Sequence, residues 1–243
     1  MQNGKTALVT GANKGIGFET AKQLASLGYN VYLGSRNKAN GLKVIKELNK
    51  LGFTDVDILE LDVTDKESIQ SAKEELKTKI YHLDILINNA GISGIVSNPP
   101  SIDSMDNVRN VLETNFFGAV QVTQHFLELL KKSNAPRIVN VSSELGSLTL
   151  QSNPEWEFYP YKVFAYNTSK TALNSFTVML AHEFKDTALK INSVAPGYTA
   201  TDLTNFGGER TPDMGAKVIV KYATLDANGP TGKFFNEDGE VTW

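Results

Sequence analysis

Tyr166 and Lys170 stand four residues apart in Y-N-T-S-K, a spacing that puts both on one helix face, a turn apart. A free phenol, with a pKa of about 10, is a sluggish acid or base near neutrality. A neighbouring ammonium favours the phenolate and is expected to lower that pKa. Of the neighbouring tyrosines, Tyr159 is followed four residues later by Val163 and Tyr161 by Ala165, so Tyr166 alone has lysine at the needed place. Upstream, Ser142-Ser143 closes the apolar run in VNVSSELG. A hydroxyl there can hydrogen-bond a carbonyl oxygen as negative charge develops on it. A serine hydrolase is the competing chemistry, but G-x-S-x-G is missing and no histidine has a motif tying it to Ser143. His82, His125 and His182 share no ligand spacing and cysteine is absent, so no metal site, thiolate or disulfide is expected.

A second chemical signal lies near the N-terminus. Thr10-Gly11-Ala12-Asn13-Lys14-Gly15-Ile16-Gly17 follows a β-rich run and opens a helical pattern. Glycines let the backbone approach a pyrophosphate closely, while the helix start supplies free N–H groups and a positive dipole end. About twenty residues on, an acid would hold the ribose hydroxyls of NAD. This chain instead carries Gly34-Ser35-Arg36-Asn37. Arg36 offers a planar, permanent cation suited to a 2′-phosphate, and Lys14 could add a second positive charge. The expected cofactor is NADP(H), the competing reading being that both are solvated surface charges.

The elements that must position these groups are legible as short apolar runs alternating with amphipathic segments, the signature of βαβ units and a parallel sheet. Strands are predicted at Thr6–Thr10, Val31–Leu33, Asp57–Val63, Leu83–Ile87, Arg137–Val141, Lys190–Val194 and Lys233–Phe235. Helices are predicted from Gly15 to Gly28, over Lys38–Leu51, from about Met105 to Lys131, over Ala165–Phe184 and over Pro212–Ala223, with Ile16, Ala21, Leu24, Ala25 and Leu27 on one face of the first. Thr64 and Glu67 read as a capping box opening a further helix. No linker, repeat or low-complexity tract divides the chain. The expectation is one α/β domain over 1–243: a doubly wound Rossmann fold with a largely parallel seven-stranded sheet and helices on both faces.

TGANKGIG resembles the TGxxxGIG cofactor loop of the short-chain dehydrogenase/reductase family, and the likeness covers nearly the whole chain. It implies cofactor contacts at Gly11, Asn13, Lys14, Gly15, Ile16, Gly17 and Arg36, both basic positions being associated in the family with NADPH preference. Asp62-Val63 resembles the pair flanking the adenine. Asn88-Asn89-Ala90-Gly91 reproduces the family's NNAG, placing Asn89, Ala90 and Gly91 beside the cofactor. In the family a glycine falls three residues after the active serine, so Ser143 with Gly146 is the match and Ser142 is read as structural. Asn115 in E-T-N-F-F-G matches the asparagine that helps hold a water-linked proton relay to the lysine. Pro196-Gly197-Tyr198-Thr199-Ala200-Thr201 resembles the PGxxxT segment against the nicotinamide, with the Thr199 backbone and Thr201 hydroxyl as contacts. Thr231-Gly232 and Asp238-Gly239 fit the family's last strand and turn.

The implied reaction is reduction of a ketone or aldehyde by NADPH, with Asn115, Ser143, Tyr166 and Lys170 catalytic and Tyr166 and Lys170 also touching the cofactor. An alcohol dehydrogenase working oxidatively, or a non-catalytic NADPH sensor, are the rival readings. Ser143 and Tyr166 are further apart than in compact family members. The extra segment, 151–164, carries Pro154, Trp156, Phe158, Tyr159, Pro160, Tyr161 and Phe164, which either wall the substrate pocket or pack a loop onto the domain. Such an insertion and the run GPTGKFFNEDGEVTW resemble the carbonyl reductase branch. Residues 202–215 are expected to form a flap over substrate. A net charge of −3 and a pI near 5.7 point to neither nucleic acid nor anionic membrane. No apolar run approaches the ~20 residues needed to span a bilayer and no signal sequence is evident. A cytoplasmic protein acting on a small carbonyl compound is the expectation, as monomer or homo-oligomer.

Overall fold

The computed structural model describes residues 4–243; the first three residues of the expected domain lie outside the described residues. Its strands are β1 (Thr6–Thr10), β2 (Asn30–Ser35), β3 (Val56–Glu60), β4 (Ile85–Asn88), β5 (Arg137–Val141), β6 (Lys190–Val194) and β7 (Phe234–Phe235). They form a single sheet in the order β3-β2-β1-β4-β5-β6-β7, every pair parallel. Parallel neighbours need long crossovers. These are supplied by α1 (Gly15–Ser26), α2 (Lys38–Lys50), α3 (Lys66–Lys79), α4 (Met105–Leu112), α5 (Gly118–Leu130), α7 (Phe164–Glu183) and α8 (Pro212–Ala223), with α6 (Leu148–Gln151) a single turn.

A strand covered on both faces must be apolar throughout, and β1 is buried at all five positions. Its pleat sends Ala7 and Val9 into a core with Leu24, Val44, Leu48 and Ile219 from α1, α2 and α8. Leu8 enters the opposite core with Ile69, Leu76, Val122, Phe126 and Leu180 from α3, α5 and α7. The chain leaves β1 for β2 on one side and returns to β4 on the other. The crevice beyond the carboxyl ends of β1 and β4 is therefore the topological switch point where such sheets bind ligands.

Five of the sequence-derived details need correction. The predicted helix from Met105 to Lys131 is interrupted by a π-helical turn at Glu113–Phe117, which periodicity cannot reveal because the apolar stripe continues through it. The helix after Asp62 is capped by Asp65, whose carboxylate accepts from the Glu67 and Ser68 N–H groups; Thr64 instead donates to Asp62. Leu27 follows the last turn of α1 and is exposed. β3 ends at Glu60, three residues short of Val63, because Asp62 starts a turn closed by its own side chain. β4 starts at Ile85, since Leu83 N–H donates to Leu129 and Asp84 N–H to Thr6.

Polar side chains cross the sheet in the interior. Asn88 Nδ2 donates to Thr123 Oγ1 at 2.9 Å and Asn140 Oδ1 at 2.8 Å. Asn140 Nδ2 donates to Thr177 Oγ1 at 2.8 Å, and that hydroxyl meets Ser193 Oγ at 2.8 Å. The chain of bonds joins β4, β5, β6, α5 and α7, and losing one member leaves buried partners unpaired. Asn140→Leu is expected to lower unfolding stability by about 1–3 kcal/mol, as read by urea denaturation.

Candidate active site

The switch-point crevice is a cleft of about 970 Å³, at the upper end of the range for small-molecule and cofactor sites. One end is built on the loop from β1 into α1. Close approach requires its glycines: Gly11 has φ +63°, and a Cβ there would lie 2.9 Å from Ala90 Cα. A Cβ at Gly17 would lie 2.5 Å from both Asn89 Nδ2 and the Gly11 carbonyl oxygen. Lys14 occupies the N-cap of α1 without a side-chain cap, so the first-turn N–H groups remain available to an anion. This cradle fits a dinucleotide pyrophosphate.

The NNAG segment is held to that loop by Thr10, which the sequence reads as strand end and first residue of the glycine loop without assigning its hydroxyl a partner. Thr10 Oγ1 accepts from Asn89 N–H at 2.9 Å and Ala90 N–H at 3.0 Å. Asn89 Nδ2 donates to the Thr10 and Gly11 carbonyls at 2.8 and 3.2 Å. A threonine ending β1 beside two asparagines ending β4 is the sequence signal. Arg36, exposed after β2, lines the cleft with Asp62 and Val63, and Asp62 Oδ1 is engaged by the Thr64 N–H and hydroxyl. Lys14 also lines the cleft, but its ammonium reaches Asp202 at 3.1 Å, both side chains being well exposed.

Thr199 is buried, its hydroxyl donating to the Gly197 carbonyl at 3.1 Å. Thr201 lies against the phosphate loop, where a Cβ on Gly15 would stand 3.4 Å from Thr201 Cγ2. Pro196 and Gly197 line the cleft with them, as do Asn13 and Ile16. The segment expected to be a flap is tied at its base, Ala200 N–H donating to Arg210 and Arg210 N–H to Tyr198. Its Asp202–Asn205 stretch lines the cleft.

Ser143, Tyr166 and Lys170 converge on the opposite wall. Lys170 is buried and donates to the Val141 carbonyl at 2.8 Å. Its Nζ lies 5.6 Å from the centroid of the Tyr166 ring. The Ser143 hydroxyl faces the Tyr166 phenol closely enough to favour its ionised form. Burial pushes the phenol pKa up from 10.0 to about 12, the Ser143 hydroxyl only partly opposing this; the expected lowering counts the positive ring of oxidised cofactor as well as the ammonium. Burial likewise pulls the Lys170 ammonium down from 10.5 to about 8. Desolvation disfavours both charged forms.

Asn115 falls on the π-helical turn, a feature frequent at functional sites. Its Oδ1 accepts from Ile92 N–H at 2.8 Å, and its Nδ2 donates to the Ile92 carbonyl at 2.9 Å and Ser169 Oγ at 3.0 Å. The side chain is thus committed to holding the backbone after NNAG against α7. A Cβ added to Gly91 would sit 3.3 Å from Asn115 Oδ1 and 3.6 Å from Lys170 Nζ, so the chain passes closely between them. Ser142 is buried, its hydroxyl without a partner among the described residues.

The 151–164 segment does wall the pocket: Trp156, Phe158, Tyr161 and Val163 line the cleft. Other members turn away, Tyr159 lying beneath Lys162 Nζ at 4.0 Å and Phe164 packing on Val108 and Val111. The histidines sit elsewhere, His82 Nε2 3.2 Å from Asp84 and His125 Nδ1 2.8 Å from the Gln121 carbonyl.

A parallel sheet with a glycine cradle at its switch point, facing a serine, a tyrosine and a lysine, defines a dinucleotide-binding oxidoreductase site. The sequence pattern described as short chain dehydrogenase matches residues 5–211, and the chain belongs to that family. It is similar to (+)-neomenthol dehydrogenase from Capsicum annuum, at 36% identity over 98% of this chain and 96% of the relative. The structure of salutaridine reductase from Papaver somniferum superimposes with a TM-score of 0.85 at 30% identity, covering 96% of this chain and 99% of that one. NADPH-bound carbonyl reductase from chicken fatty liver has a TM-score of 0.85 at 26% identity, with full coverage of both chains (100% each). The chain is therefore an oxidoreductase acting on carbonyl or alcohol groups with a nicotinamide dinucleotide. Among the described residues no helix is long and apolar enough to cross a membrane.

The depressed lysine makes stability depend on pH. Between about pH 8 and 10.5 the unfolded chain holds a proton that the folded chain has lost, so stability should climb with pH through that window. Lys170→Met should lack this component, on the order of 2 kcal/mol, when ligand-free protein is denatured in urea at pH 7.5 and 9.5.

Proposed function

We propose that the protein is an NADPH-dependent carbonyl reductase that converts a ketone or aldehyde to its alcohol in one NADP(H)-binding domain. The observation carrying this is the convergence of Ser143, Tyr166 and the buried Lys170 on the wall of the cleft whose other end is the glycine cradle. The cradle residues Gly11–Gly17, with Asn89, Ala90, Gly91, Pro196, Gly197, Thr199 and Thr201, hold the cofactor. Asp62 and Val63 flank its adenine.

Reduced nicotinamide, when bound, supplies a hydride to the carbonyl carbon. Ser143 donates a hydrogen bond to the substrate oxygen and stabilises the charge that builds there. Tyr166 gives its phenolic proton to the same oxygen, completing the alcohol. A phenol with a pKa near 12 is fully protonated at neutral pH and suits the donor role that reduction requires. Lys170, with a pKa near 8, is mostly charged at neutrality and offsets the negative charge left on Tyr166. Asn115 fixes the turn beside Lys170 from which Tyr166 is reprotonated. The absence of an acid at the end of β2 and the exposed Arg36 there support NADPH over NADH. Chemistry alone does not fix direction, and the cationic cofactor end favours the reductive one. A cytoplasmic setting fits a cysteine-free chain.

The test follows NADPH and NADH absorbance with purified protein and a panel of cyclic and aromatic ketones, aldehydes, diketones and quinones. Carbonyl-dependent oxidation of NADPH is the expected result. Silence across the panel despite tight NADPH binding would favour a sensor. Tyr166→Phe should lower kcat by at least about a thousandfold, general acid catalysis contributing roughly 10²–10⁴, with NADPH affinity held within a few-fold. Arg36→Leu should raise the KM for NADPH by roughly 10–100-fold, the loss of a charge-assisted hydrogen-bonding partner, and leave that for NADH nearly the same.

A further inference from the structure

The carbonyl-reducing cleft carries one charge that the proposed reaction does not use. Glu144 directly follows Ser143, opens a short 3₁₀ turn and lines the cleft. Its Oε1 accepts from Asn236 Nδ2 at 2.6 Å, a contact from the chain after β7. No lysine, arginine or histidine among the described residues pairs with it within 4.0 Å. The other charges on the cleft wall are accounted for. Lys14 and Asp202 pair with each other, Lys170 serves Tyr166, and Arg36 and Asp62 lie at the adenine end.

A lone carboxylate on the cleft wall that carries Ser143 works against the proposed reaction. Negative charge develops on the substrate oxygen, and a neighbouring anion raises the cost of that charge in a partly desolvated site. A cation carried by the substrate removes the conflict. The surrounding surface suits one: Phe158 contacts Trp156 at 5.6 Å, Tyr161 at 5.8 Å and Tyr198 at 6.3 Å between ring centroids, and all four rings line the cleft. Electron-rich ring faces attract ammonium groups, including quaternary ones that cannot donate hydrogen bonds.

We propose that Glu144, with the aromatic wall around Phe158, selects carbonyl substrates bearing a positively charged amine, so that the preferred class is cyclic amino ketones. The proposal rests on the reductase reading above. Glu144 is a specificity residue held in place by Asn236.

The experiment compares two ketones of the same shape, 1,1-dimethyl-4-oxopiperidinium and 4,4-dimethylcyclohexanone, by kcat/KM with NADPH and the full-length protein. The cationic ketone is intrinsically more electrophilic, so the readout is the change in the cation-to-neutral ratio on going to Glu144→Gln. That variant keeps an oxygen to accept from Asn236. The expected result is a preference for the cation that falls at least roughly tenfold in the variant, the scale of a lost charge interaction. An unchanged ratio, or an equal loss on both ketones, overturns the proposal and leaves Glu144 a structural brace. Where this pair is not turned over but other panel ketones are, the same ratio is read from the two compounds as competitive inhibitors. Failure of every panel ketone to oxidise NADPH would overturn the underlying reductase reading instead, which separates the two failures.

Discussion

Gly146 is where the turn carrying Ser143 meets the helix carrying Tyr166 and Lys170. A Cβ there would stand 2.9 Å from the Lys170 carbonyl carbon and 2.9 Å from Lys170 Cβ. Any larger residue must push the two elements apart, because buried packing has no slack to absorb a methyl group. The contact is sealed by Thr171 Oγ1 and Asn174 Nδ2, which donate to the Gly146 carbonyl at 3.0 and 3.3 Å. The Lys170 ammonium then reaches back to the last residue of β5, at the Val141 carbonyl. The distance between serine and tyrosine is therefore set by backbone packing rather than by the flexible side chains themselves. Proton transfer depends on sub-ångström placement, and a glycine that admits no alternative packing provides it.

The same economy organises the cofactor end. Thr10, Asn89 and the glycines interlock so that the carboxyl ends of β1 and β4 form one rigid rim. Beneath both ends, the Asn88–Asn140–Thr177–Ser193 chain of hydrogen bonds fixes the relative height of β4, β5 and β6. Buried polar groups that depend on one another for hydrogen bonds tolerate few alternative registers. The cleft can therefore be wide and open to solvent while its floor stays invariant. Three chain excursions sit above the floor: the aromatic 151–164 segment, the Tyr198–Arg210 excursion and the C-terminal run that reaches Glu144.

The opposed shifts of Tyr166 and Lys170 express one cause, removal of both groups from water. Burial holds the phenol protonated and makes the ammonium easier to discharge. In the proposed reaction a neutral phenol beside a marginally charged lysine is suited to give its proton to the substrate oxygen. Whether the phenolate forms is governed by the charge that ligands bring into the cleft, which links binding to acidity.

Much of this was legible in the residues. Strand and helix periodicity located every strand, three of them (β1, β5 and β6) to the residue, because strands buried on both faces are rich in apolar and β-branched residues. Short motifs carried the cradle and the Ser143, Tyr166 and Lys170 set, since backbone approach demands glycine and a helical turn demands spacing of four. The π-helical turn, the Asp65 cap and the fate of Lys14 were not legible. Each depends on which of several equivalent local partners tertiary neighbours leave open: Asn115 is drawn to Ile92 and Ser169, and Lys14 to Asp202. The direction of the Tyr166 shift was likewise undecidable from spacing, because proximity to lysine and loss of solvent act oppositely and only the folded depth of the site sets their balance. Residue type and spacing determined which groups are suited to the proposed chemistry; burial, fixed by the packing of α7 on β5, decided their charge states, because the depth of a group below solvent is set by tertiary packing and not by its neighbours in sequence.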